Sequence, residues 1–150
     1  MELSAETAGR YLRHAYAQML TAADRLGEEL VNRRPHGPGT NSVAALIVHC
    51  AAVAPWWLGH VALGDPTQRD RESEFEATAT IAELHALVAA SLAASMEALR
   101  RLEAGEGSDG GGRQFLLDGD ASDAGVVIHV IEELFQHLGH IDLTVDALTA

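Results

Sequence analysis

AETAGRYLRHAYAQMLTAADRLGEELV, residues 5–31, carries apolar side chains at Ala8, Leu12, Ala15, Met19, Ala22, Leu26 and Leu30. Steps of three and four match the 3.6-residue turn of an α-helix and gather these side chains into one stripe. The segment therefore predicts an amphipathic helix from about Ala5 to Val31. NRRPHGPGTN (32–41) ends it, because its prolines and glycines do not continue a helix. Asn41 or Ser42 offers an N-cap to a second helix reaching about Leu63. The polar connector GDPTQRDRESEF (64–75) leads to a third helix, from about Thr80 to Glu103, rich in alanine and leucine. A long glycine-rich loop follows, GEGSDGGGRQFLLDGD (105–120), in which RQFLL is the one candidate for a short extended piece. Ser122 or Asp123 then caps a fourth helix running to about Leu148.

Four helices without strand-like alternation imply an all-α fold, an up-down-type four-helix bundle forming a single domain over residues 1–150. A chain of this length buries about 70% of its unfolded surface. Net charge is −12, from 22 acidic and 10 basic residues, a balance that disfavours nucleic acid and anionic lipid as partners. No apolar run is expected to reach the roughly 18 residues of a membrane span, and MELSAETAGR has no signal-peptide pattern. The lone Cys50 excludes an internal disulfide. These features predict a soluble, cytoplasmic protein. Every basic residue is arginine, which points to a GC-rich genome.

The ionisable residues are most concentrated in HVIEELFQHLGH (129–140). His129, Glu133, His137 and His140 are spaced 4, 4 and 3 apart and share one helix face, at the edge of the apolar arc. A carboxylate placed there requires a cation or hydrogen-bond donors. In the second helix, SVAALIVHCAAVAPWWLGH (42–60), His49 stands within an apolar stripe that also holds Trp56. A lone histidine on such a stripe is usually a satisfied core residue, but one facing a Glu-x-x-x-His pair is a candidate ligand. His49, Glu133 and His137 would form a His₂Glu set, the arrangement of catalytic zinc sites that keep a position open. Nickel, manganese or iron would accept the same ligands.

The histidine of the second helix with its following WW pair, RDRESEF in the connector and EELFQHLGH in the last helix resemble the DinB-like (YfiT-like) superfamily. The closer resemblance is to its actinobacterial branch, related to the metal-binding domain of mycothiol-dependent maleylpyruvate isomerase. It spans about Tyr11 to Leu148 and implies a bundle with one metal held by helix two and helix four. In that register Glu133 and His137 are the helix-four ligands, Gly139 is the matching glycine, and His140 replaces a frequent glutamine. His140 then supports the ligands from outside, acts as a base, serves as a fourth ligand, or is a polar residue at the bundle mouth. The resemblance implies thiol transfer or isomerisation with a low-molecular-weight thiol such as mycothiol. Its partners would be a small-molecule thiol or electrophile, and a homodimer is compatible with the family. The additional C-terminal domain associated with the isomerase has no counterpart in the 150 residues, which argues against the maleylpyruvate reaction itself.

Other features read as structure. Cys50 is a small buried hydrophobe, since its neighbour His49 points about 100° away. Trp56 is a core or pocket wall and the candidate substrate contact above the metal. Pro55 should kink its helix. His129 is a rim or core histidine. Arg69 and Arg71 pair with nearby acids or, less in keeping with a polar connector, hold an anionic substrate. The glycine-rich loop lacks the lysine and hydroxyl of a phosphate-binding loop. Two alternatives to a transferase remain open, a metal-assisted hydrolase and a non-catalytic metal-binding stress or binding protein.

Overall fold

Each long helix begins on a hydroxyl that accepts a backbone N–H from the first turn: Ser4 from Thr7, Ser42 from Ala45, Thr80 from Glu83 and Ser122 from Gly125. The computed structural model describes residues 1–116 and 119–150. The helices are α1 (Ala5–Leu30), α2 (Val43–Pro55), the short α3 (Arg71–Glu74), α4 (Ile81–Glu103) and α5 (Asp123–Thr149). The architecture is an all-α bundle. Glu83 completes a capping box with Thr80, and a break in α1 falls at Gly27, whose φ of +72° suits only glycine well.

α1 and α2 each pack along both α4 and α5. Ala5 N–H donates to Glu103 and Ile81 N–H donates to Glu28, so α1 and α4 are antiparallel. Ala8 lies near Val127 and Ala22 near Val145, so α1 and α5 run in parallel. His137 meets His49 and His129 meets Trp57, so α5 is antiparallel to α2. The order is thus up-down-down-up, and simple alternation fails in the middle. The connector over residues 64–80 accounts for this, being long enough to return the chain along the bundle before α4 starts. It carries α3, which the sequence reading treats as plain polar loop.

The core runs through all four long helices, with Leu12, Met19, Leu46, Leu84, Leu134 and Ile141 fully buried. The buried phenol in it is satisfied: Tyr16 Oη donates to the Cys50 carbonyl and lies 3.0 Å from Ser91 Oγ. Cys50 is itself completely buried, and burial pushes its thiol pKa up. Among the described residues two segments are long and apolar enough by composition to cross a membrane, Val43–Val61 and Ile81–Glu103, contrary to the expectation of none. The first owes its apolarity to its place in the core, where 67% of it is buried.

Pro55 does not simply bend α2. Lacking an N–H, it leads into a π-helical segment, Trp56–Val61, where the Trp56 N–H is shared between the Ala52 and Val53 carbonyls. The wider turn brings Trp56 and Trp57 edge to face, ring centroids 5.0 Å apart, and sets Trp57 against His129 of α5. Beyond it, the glycine-rich loop is pinned by Ser108 N–H to the Ala62 carbonyl and Gly110 N–H to the Val61 carbonyl. Arg113 reinforces this dock through the carbonyls of Ala62 and Ser108 and the Asp123 carboxylate. The extended piece expected in RQFLL is not formed over Arg113–Phe115, which makes a 3₁₀ turn; Leu117 lies outside the described residues.

A Cβ at Gly110 would sit 1.7 Å from the His60 carbonyl oxygen, a contact that only displacement of the loop relieves. Gly110→Ala is therefore expected to destabilise the fold by about 1–3 kcal/mol through overpacking. The urea unfolding midpoint checks this.

Candidate metal centre

His49 reaches the bundle centre from the middle of α2, where only 3% of it is exposed. α5 contributes Glu133 and His137 one turn apart. One ligand-capable atom from each of the three lies within 4.8 Å of the others. The His49 and His137 rings meet edge to face with centroids 4.6 Å apart. His137 Nε2 stands 3.5 Å from Glu133 Oε2, too long for a good hydrogen bond. It is close to the spacing of about 3.4 Å between ligand atoms around a tetrahedral ion with bonds of about 2.1 Å. The buried Nδ1 atoms of His129 and His137 have no hydrogen-bond partner among the described residues. The donor set fits one divalent ion.

His129 stands beside this set, its Nε2 3.7 Å from Glu133 Oε1 and its ring against Trp57 at 4.4 Å. His140 lies outside it: the residue is exposed and its ring centroid is 6.3 Å from that of His137. Partial desolvation at this exposed position, with His137 adding to it, lowers the His140 imidazole pKa from the usual value, favouring the neutral form that can accept a proton. Trp56 lines the cavity above the cluster, with Trp57, Val53, Arg69, Arg71 and Phe115 completing its wall around His49 and Glu133. The cavity measures about 460 Å³.

The residue the sequence reading missed is Glu74. It ends α3 and is 5% exposed. Its Oε2 lies 2.7 Å from His49 Nδ1, and Arg69 grips both its oxygens, Nε to Oε1 at 2.6 Å and Nη2 to Oε2 at 2.9 Å. The carboxylate makes His49 Nδ1 the N–H donor and leaves Nε2 with its lone pair, the state a metal ligand needs. Phe75 packs on the same imidazole at 4.6 Å. A signal was available: Phe75 is the one large apolar residue between Gly64 and Ala77, and it draws the connector inward. Which acid follows it into the core depends on the fold-back of α3, which has no periodic signature in four residues.

Burial is the largest influence on His49 and holds its pKa below the ordinary value despite the opposing pull of Glu74. His49 is thus neutral at pH 7. Glu133 is held below the ordinary carboxylate value, chiefly by His137. Both folded values lie below the unfolded ones, so both groups stabilise the fold at neutral pH and lose that contribution as pH falls. Unfolding of the metal-free protein followed against pH should show stability falling below about pH 6.5 from His49, and further below about pH 4.5 from Glu133. Glu74→Ala leaves the Arg69 guanidinium, 12% exposed, without its partner. An expected loss of about 3 kcal/mol or more in chemical denaturation follows from the uncompensated buried charge.

One family model matches the chain over residues 8–149, described as mycothiol-S-transferase. The other two comparisons gave no match to a curated protein or to a solved structure. The match takes in all of α2, α3, α4 and α5 and nearly all of α1, with His49, Glu74, Glu133 and His137 inside it. The chain belongs to the mycothiol-S-transferase family, a DinB-like family.

Proposed function

We propose that this protein is a metal-dependent S-transferase that joins mycothiol, or a related low-molecular-weight thiol, to a small electrophile. The observation that carries the reading is the convergence of His49, Glu133 and His137 under a cavity in a chain of this family. These three side chains hold one divalent ion; zinc suits two imidazoles and a carboxylate best, and nickel, manganese or iron accept the same set. A bound ion with an open position supplies one thing, a lowered thiol pKa, so that the sulfur is held as thiolate at neutral pH.

The chain's own residues do the rest. The only cysteine, Cys50, is fully buried with its thiol protonated, so the attacking sulfur comes from a cosubstrate. Glu74 and Arg69 fix the tautomer and plane of His49. Trp56 and Trp57 wall the cavity and exclude water from the side facing α2. We assign to His140, whose ring lies 6.3 Å from that of His137, the role of taking the proton the thiol gives up; its lowered pKa supports this. Reading His140 as a base rather than a ligand fits its exposed position.

Two outcomes follow. His49→Ala and His137→Ala should each abolish stoichiometric zinc binding in equilibrium dialysis. His140→Ala should weaken it by no more than about 10–100-fold, the typical loss for a residue outside the ligand set. Zinc-loaded protein should release a proton on binding mycothiol, measurable by calorimetry in buffers of different ionisation enthalpy, and should accelerate its conjugation to 1-chloro-2,4-dinitrobenzene. Turnover of an ester or amide without thiol would instead make the protein a hydrolase, and equal thiol binding with and without metal would remove the transferase reading.

A further inference from the structure

The cavity above the metal cluster is unlike the surface of a chain with net charge −12, because two of its wall residues are arginines and three are aromatic. The two arginines are not equivalent. Arg69 is committed: it holds Glu74 bidentately and stacks on the Trp56 ring at 5.4 Å. Arg71 has no carboxylate partner among the described residues, although Asp70 and Glu72 flank it in sequence. Asp70 is turned away to cap α3, accepting the Ser73 N–H, and Glu72 is exposed. The Arg71 guanidinium instead rests over the Phe75 ring at 6.0 Å, and Phe75 lies on His49. Opposite, Phe115 is 70% exposed yet lines the same cavity, carried by the loop that Arg113 fastens. Phe115 thus offers an open aromatic face at the mouth of the cavity.

We propose that the electrophile accepted by this cavity is a planar, apolar compound bearing a carboxylate. Its ring lies between Trp56 and Phe115, and its carboxylate is paired by Arg71. Glu74 does not oppose this, since Arg69 already pairs with both its oxygens. The identity of the substrate class rests on the transferase reading; the binding of such a molecule does not.

Trp56 and Trp57 are the only tryptophans and both line the cavity, so quenching of intrinsic fluorescence by a nitroaromatic reports on it directly. The probes are 4-nitrobenzoate and its uncharged isostere 4-nitrobenzamide, titrated into zinc-loaded and metal-stripped protein. The carboxylate should bind about tenfold more tightly than the amide in both forms, the gain of one charge-assisted pair. Arg71→Gln should reduce that preference to about unity, and Arg71→Lys should restore part of it, since ammonium keeps the charge without the fork. Equal affinity for the two probes, or a preference that survives in Arg71→Gln, overturns the proposal; survival only with zinc loaded would place the carboxylate on the metal. A transfer assay then uses 4-chloro-3-nitrobenzoate with mycothiol. The thiolate sulfur forms a bond to the ring carbon, the C–Cl bond breaks with its electron pair leaving as chloride, and the thiol proton passes to buffer. Carboxylate-selective binding without this turnover would preserve the binding proposal and remove the transferase reading. Turnover with a lower KM for 4-chloro-3-nitrobenzamide than for the benzoate would do the reverse.

Discussion

The buried contact from Arg69 through Glu74 to His49 is the constraint around which the rest of the site is arranged. Three ionisable groups from α2 and the connector meet where almost no water reaches, and each is balanced by the next. Glu74 would be costly in the core without Arg69, and Arg69 without Glu74. His49 completes the set as a neutral donor and so faces α5 with a free nitrogen. An imidazole held in this way would not have to be ordered by an ion, which is the advantage of an oriented imidazole over a free one.

The same contact explains features of the fold that are otherwise unconnected. α2 and α4 are parallel, so the chain must return along the bundle between them; the returning connector is what delivers Glu74 and Phe75 to His49. Pro55 and the π-helical segment after it widen the end of α2 and set Trp56 over Arg69 and Trp57 against His129. The glycine-rich loop is docked on that segment, and Gly110 is there because the His60 carbonyl leaves no room for a side chain. Cavity, aromatic wall and ligand cluster are thus consequences of one irregularity in α2 and one crossover.

Much of this was legible in the sequence, for physical reasons. Long helices announce themselves by apolar steps of three and four, and their caps by a hydroxyl before the first turn. Glu133 and His137 could be assigned to one face because helical spacing fixes direction, and His49 because a polar ring in an apolar stripe needs an explanation. The direction of α4 was not legible, since periodicity says nothing about which way a helix runs. Glu74 was not legible either: a four-residue helix in a polar connector has no pattern, and the connector's acids look alike until one is buried. The apolarity of Val43–Val61 was underestimated because His49 and Pro55 interrupt a stretch that still averages a mean hydropathy of 1.4 in its most apolar window.

The central claim is that His49, Glu133 and His137 hold an ion whose open position takes a thiol sulfur. X-ray absorption at the zinc edge, recorded on loaded protein before and after adding mycothiol, tests it most directly. The account predicts a first shell of nitrogen and oxygen alone that gains one sulfur scatterer at about 2.3 Å when the thiol is added. A sulfur shell present before the thiol, or a shell that the thiol leaves unchanged, would contradict it.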